Sequence, residues 1–186
     1  MFGNEDLKRL VECAGRALEC EHRYLVHCAS ERHWRGRPIG ICDNTNERYY
    51  QFVVWRALMA SFPWRPRTER RGYDLAFYND ETNELVAFAE IKGWWGVSGE
   101  QELPGIRRDL EKLGILRIPG VMLILTCHPK NQAEDNFRWL AEKLGVSRDD
   151  IVTHSFDTPS WPDDDHPTEF AVIGFLVAQK TLPASA

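Results

Sequence analysis

Two apolar runs separated by a polar turn constrain this chain more than any other feature. They are Gly72-Tyr73-Asp74-Leu75-Ala76-Phe77 and Leu85-Val86-Ala87-Phe88-Ala89-Glu90-Ile91-Lys92, with Asn79-Asp80-Glu81-Thr82-Asn83-Glu84 between them. Aromatic and aliphatic runs flanking a cluster of Asn, Asp and Thr predict a β-hairpin. The second run is apolar at odd and even positions alike until Glu90, which predicts a strand covered on both faces. Charged groups at the end of such a strand need a partner or a metal. Chemistry is therefore expected at that end of the hairpin.

Register sharpens the expectation. Side chains alternate with period two, so Asp74, Ala76 and Tyr78 share a face, as do Val86, Phe88, Glu90 and Lys92. Pairing Tyr78 with Val86 and Asp80 with Glu84 leaves Glu81-Thr82-Asn83 as a three-residue loop, with Asn at a position that tolerates a left-handed backbone. Asp74 then lies across from Glu90, with Cβ atoms roughly 4.5–5.5 Å apart. Opposed carboxylates are destabilising on a strand pair, and a hard divalent cation between them reverses that cost. Slipping the register by two instead pairs Asp74 with Lys92 as a structural ion pair.

An Asp, a variable hairpin and then Glu-x-Lys resembles the motif of the PD-(D/E)xK nuclease superfamily, with its restriction-endonuclease-like fold. Asp74 matches the first acid, Glu90 the second and Lys92 the lysine, while Tyr73 stands where the family often has Pro. The motif is short, and its context lends it weight. Residues 46–60 predict a helix ending before Pro63, with Glu47, Tyr50, Gln51, Val54 and Leu58 along one face. Gly93 to Gly99 reads as a loop, Pro104 to Leu113 as a helix closed by Gly114, and Val121–Thr126 as a buried strand. Helix, hairpin, helix, strand is the order of the superfamily core, here residues 44–127. The resemblance implies an α/β fold, a mixed central sheet flanked by helices. It also implies that Asp74, Glu90 and the Ile91 carbonyl hold Mg²⁺, with Mn²⁺ able to substitute. Glu47 is a candidate further ligand, though Asn44 followed by Glu47 is also a capping-box pattern.

Outside the core, residues 5–40 predict an added amino-terminal helical extension, whose stripe at positions 7, 10, 11, 14, 17 and 18 belongs to a helix over 6–30. Residues 133–144 predict an amphipathic helix, and 151–156 and 170–178 predict strands that extend the sheet. With 186 residues, 43% of them hydrophobic, a single domain spanning 1–186 can bury a sizeable core. No apolar run approaches the ~20 residues of a membrane span, and the first residues lack an export signal. Five cysteines without C-x-x-C spacing suit a reducing cytoplasm, and Cys20, His22, His27, Cys28 and His33 match no zinc-ligand pattern. G-x-G-x-x-G, P-loop, H-E-x-x-H and G-x-S-x-G motifs are absent. Ser98 has no evident base, Asp163-Asp164-Asp165-His166 between prolines reads as an exposed loop, and His128 falls at a strand end.

The net charge of −5 hides an asymmetry. Residues 1–71 carry 13 Lys and Arg against 9 Asp and Glu, while residues 72–186 carry 10 against 19. Basic residues concentrate at Arg32, Arg35 and Arg37 and at Arg65, Arg67, Arg70 and Arg71, interleaved with Trp34 and Trp64. Such clusters suit phosphate contacts and base stacking, or form a solvated loop neutralised in part by Glu69. Trp94 and Trp95 could stack on a base, or belong to the core or to an interface with a second copy of the chain.

The expected activity is hydrolysis of phosphodiester bonds, in DNA rather than RNA. Lys92, its pKa lowered by burial, would position a water for in-line attack beside the cation. The alternative is a catalytically silent module of the same fold that binds nucleic acid or a protein, although such a module has no need of opposed carboxylates. A toxin or defence effector would share the nuclease chemistry.

Overall fold

In the computed structural model, residues 2–28, 33–34, 37–38, 40–43, 46–95, 99–158 and 168–179 are described. In chain order the elements are α1 (Asn4–Cys28), β1 (His33–Trp34), β2 (Arg37–Pro38), a 3-10 turn (Ile41–Asp43), α2 (Glu47–Ser61), β3 (Arg65–Arg70), β4 (Tyr73–Tyr78), β5 (Leu85–Trp94), α3 (Leu103–Gly114), β6 (Gly120–Pro129), α4 (Ala133–Leu144), β7 (Val152–Thr158) and β8 (Thr168–Val177). Six strands form one mixed sheet in the order β3-β4-β5-β6-β8-β7. Among the described residues, only β5 and β6 run parallel. A parallel pair needs a crossover, and α3 supplies it. The molecule is thus mixed α/β, a six-stranded sheet flanked by helices.

Alternation along β5 explains the layering. Ala87, Ala89 and Ile91 join a core completed by Leu7, Leu10, Val11 and Leu18 of α1 and Tyr50, Val53, Val54 and Leu58 of α2. Phe88 and Trp94 join a second core with Leu103, Ile106 and Leu113 of α3 and Phe137 and Leu140 of α4. Both faces of β5 are covered, as its unbroken apolar run predicts.

Several expectations need correction. Arg65, Arg67 and Arg70 do not lie on a loop: they form the edge strand β3, paired along β4. The β3–β4 connection is the two-residue turn Arg71-Gly72, with φ of 56° and 78°, the left-handed pair that a tight hairpin of this type requires. β5 continues through Gly93 and Trp94, where glycines suggested a loop. A bulge between Phe77 and Tyr78 sets Tyr78 opposite Leu85 rather than Val86. The hairpin closes through Asn79, whose amide donates to the Glu84 carbonyl at 2.9 Å, and Asn83 takes the expected left-handed backbone (φ 55°). The α2 cap is Asn46, whose side chain accepts from the Arg48 amide at 3.1 Å; Asn44 lies outside the described residues.

Cys42 and Cys127 are joined by a disulfide, which their spacing did not announce, while Cys13, Cys20 and Cys28 are free. Among the described residues, no helix is long and apolar enough to cross a membrane. Arg32, Arg35, Ser98 and Asp163 to His166 lie outside the described residues, as do the side chains of His33, Trp34 and Arg37.

Candidate active site

On the α3 side of the bulge the hairpin keeps the expected register. Leu75 pairs with Ala89 and Ala76 with Phe88, so one further step sets Asp74 opposite Glu90. The ladder between β4 and β5 stops at Leu75 and Ala89, and the Asp74 side chain takes over beyond it. Its Oδ2 accepts the Ile91 amide at 2.8 Å. Asp74 thereby satisfies a backbone donor while its carboxylate faces that of Glu90.

Glu90 is buried. Burial pushes its carboxyl up to about 7; a hydrogen bond from Lys112 opposes that shift, and the neighbouring Asp74 carboxylate adds to it. Lys112 donates to Glu90 Oε1 and to the Gly72 carbonyl, and its ammonium lies 4.2 Å from the centre of the Tyr73 ring. Tyr73 in turn stacks on Phe88 with centroids 4.2 Å apart.

Lys92, two residues along the same face, is held differently. Its Nζ lies 3.3 Å from Glu47 Oε1 and 3.4 Å from Asp109 Oδ2. Burial alone would lower its pKa, but Glu47 and Asp109 outweigh burial and hold it above the usual lysine value. The expectation of a lowered pKa is therefore overturned, because two helices bring carboxylates to the ammonium. Lys92 stays charged at neutral pH. Nor does it pair with Asp74, so the slipped register is not the one adopted.

Glu47 is the first residue of α2 and spends both oxygens on β5: Oε1 faces Lys92, and Oε2 accepts the Gly93 amide at 3.1 Å. It belongs to the site as the partner of Lys92, rather than as a third carboxylate beside Asp74 and Glu90. Gly93 has a steric reason here. A Cβ on it would fall 2.0 Å from Nε1 of Trp95, whose ring folds back over the strand end. Trp94 stacks on Trp139 and Trp95 packs against Tyr50 and Phe170, so both serve the interior rather than a base-stacking mouth.

Asp109 and Lys112 were missed in the sequence, yet a signal was there. Ile106, Asp109 and Leu113 follow one another at i, i+3 and i+7, so Asp109 occupies a position of the buried stripe of α3. A charge on a buried stripe needs a partner, and Lys92 is that partner. His128 stays apart from this cluster. It lies edge-on to Phe137, and burial lowers its pKa to about 4, so it is neutral.

Four carboxylates (Asp74, Glu90, Glu47, Asp109) thus surround two ammonium groups (Lys92, Lys112), an excess of negative charge that a cation would offset. Among the described residues, no three His, Cys, Asp or Glu side chains are gathered closely enough to hold a metal alone. Asp74 and Glu90 would supply two oxygens and the Ile91 carbonyl a third, leaving the rest to water. That donor set fits Mg²⁺, which binds through one or two carboxylates and keeps several waters. It does not fit an ion that demands an all-protein cage.

The four arginines divide. Arg65 Nη2 donates to Asn83 Oδ1 at 2.6 Å, and Arg67 donates to the same atom at 3.4 Å while lying over the Tyr78 ring. Arg70 and Arg71 are exposed and lead directly into Gly72, whose carbonyl meets Lys112. A groove lined by Trp55, Met59, Arg67 and Arg70 follows the open edge of β3. Compared with known proteins, the chain finds no counterpart: no family model matches it, and neither does any curated protein or solved structure.

Proposed function

We propose that this chain is a metal-dependent nuclease that hydrolyses phosphodiester bonds, in DNA before RNA. The observation that carries the reading is the Asp74 carboxylate lying beside that of Glu90 at the end of the β4–β5 pair, with Lys92 two residues further along β5. The order α2, β3–β4–β5, α3, β6 supports it: with β3 as an added edge strand, the rest keeps the helix, hairpin, helix, strand order that the resemblance to the PD-(D/E)xK superfamily implies. Asp74, Glu90 and the Ile91 carbonyl would hold Mg²⁺, which when bound supplies positive charge to the scissile phosphate and to its leaving oxygen.

The chain's own residues then have distinct tasks. Lys92, pinned by Glu47 and Asp109, is a fixed ammonium that donates to an incoming water or to a phosphate oxygen; being protonated, it takes up no proton. Preoriented charge of this kind acts without reorganisation as negative charge builds on phosphorus. A bond forms from the water oxygen to phosphorus and the bridging P–O bond breaks; the attacking water gives up its proton to bulk solvent and the departing oxygen takes one up from it, so that the protons balance. Arg70 and Arg71, on the turn beside Gly72, are placed to meet the backbone of the nucleic acid.

One observation favours a second reading, a silent nucleic-acid-binding or protein-binding module: Lys112 already neutralises Glu90. Purified protein given Mg²⁺ or Mn²⁺ separates the two on single- and double-stranded DNA and RNA. Cleavage that Asp74→Ala and Lys92→Ala each reduce by orders of magnitude is expected. Failure to cut any of these substrates overturns the nuclease reading.

A further inference from the structure

We propose that Lys112 is a built-in counter-cation of the Asp74–Glu90 pair, which a divalent ion has to displace, so that α3 sets the metal affinity of the site. The proposal rests on the metal-site reading above and adds a residue outside the hairpin motif.

Three contacts define its place. The ammonium donates to Glu90 Oε1, donates to the Gly72 carbonyl, and lies over the face of Tyr73 at 4.2 Å. A carboxylate, a carbonyl and an aromatic face together form a cradle for a cation. Two of the three come from the β3–β4 turn and the start of β4, beside Asp74. The third is a carboxylate of the pair itself. Lys92, also near the pair, is anchored elsewhere by Glu47 and Asp109. The two lysines therefore differ: Lys92 flanks the carboxylates, and Lys112 occupies one of them.

Occupancy has a thermodynamic consequence. A ligand that binds only when a competing side chain has left shows an affinity reduced by the fraction of molecules that are competent. Removing the competitor lifts that penalty. Couplings of this kind commonly change affinity roughly 5- to 150-fold.

The test is calorimetric titration of metal-free full-length protein with Mn²⁺, comparing wild type, Lys112→Met, Lys112→Arg and Lys92→Met, each first checked by thermal melting. Lys112→Met should bind Mn²⁺ at least fivefold more tightly than wild type. Lys112→Arg should not tighten binding, and Lys92→Met should tighten it clearly less than Lys112→Met. The comparison with Lys92→Met isolates displacement from the general loss of one positive charge. Equal tightening in both methionine variants, or unchanged or weaker binding in Lys112→Met, overturns the proposal. If Asp74→Asn still abolishes binding in that event, the metal site itself stands. If no variant binds Mn²⁺, the metal-site reading falls and this proposal with it. Should Lys112→Met fail to fold, Lys112→Gln, uncharged and one atom shorter than lysine, is read in the same way.

Discussion

At Glu90 the demands of folding and of the proposed metal site oppose one another. The strand needs an apolar residue at this buried position, and it carries an acid whose carboxyl is raised to about 7. The sign of the stability effect follows from the direction of the shift. With a folded pKa above its unfolded value of 4.5, Glu90 contributes stability that is fully present below about pH 4.5 and lost as pH rises through 7. In metal-free buffer, wild type should therefore lose up to about 3 kcal/mol relative to Glu90→Gln between those limits. Melting curves at four pH values with a chelator measure it, and parallel profiles for the two proteins would remove Glu90 as the strained group. Added Mg²⁺ should flatten the wild-type profile. The place of Glu90 was legible in the sequence, because period-two alternation and one polar turn suffice to oppose it to Asp74. The protonation behaviour of Lys92 was not, because Glu47 and Asp109 come from helices 45 residues before and 17 after it.

Among the elements, most of β5 could be read from its apolar run and the turn before it from its polar residues, whereas β3 could not. Arg65-Pro66-Arg67-Thr68-Glu69-Arg70 has none of the aliphatic density of a strand. An edge strand does not need it, since charge and proline there discourage edge-to-edge pairing with another sheet. The same arginines split into two functions that composition could not separate. Arg65 and Arg67 hold the β4–β5 turn through Asn83, and Arg70 and Arg71 remain free for a ligand. Arg70→Ala and Arg71→Ala should each weaken DNA binding by a similar factor for every sequence and lower the slope of log K against log salt by roughly 0.9 for duplex DNA. Arg65→Ala should change the melting temperature more than that slope. Fluorescence anisotropy at four salt concentrations decides it: an unchanged slope in Arg70→Ala and Arg71→Ala would show that this turn does not touch phosphate.

Across the whole molecule, the site depends on two helices being held against one strand end, and the Cys42–Cys127 disulfide bears on one of them. It ties the 3-10 turn just before α2 to β6, five residues upstream of Glu47. No spacing rule could have paired these two cysteines among five, because it is the tertiary fold that brings the 3-10 turn and the end of β6 together. In the chain-entropy account, closing a loop of this length stabilises the fold by roughly 4–5 kcal/mol through the unfolded state. A reductant should therefore lower the melting temperature of wild type but leave that of Cys127→Ser unaffected. Cys20→Ser, at a free cysteine, should behave as wild type. In a reducing compartment the dithiol form would be the working one, so what the bridge does for Glu47 matters to the proposed chemistry. The amide of Gly93 reports on this directly, since it donates to Glu47 Oε2. Loosening the start of α2 should expose that amide, and its hydrogen exchange should quicken on reduction while the amides of β6 distant from Cys127 keep their rates. Exchange at Gly93 that is equal in both redox states would confine the bridge to a stabilising role with no reach into the Lys92 anchor.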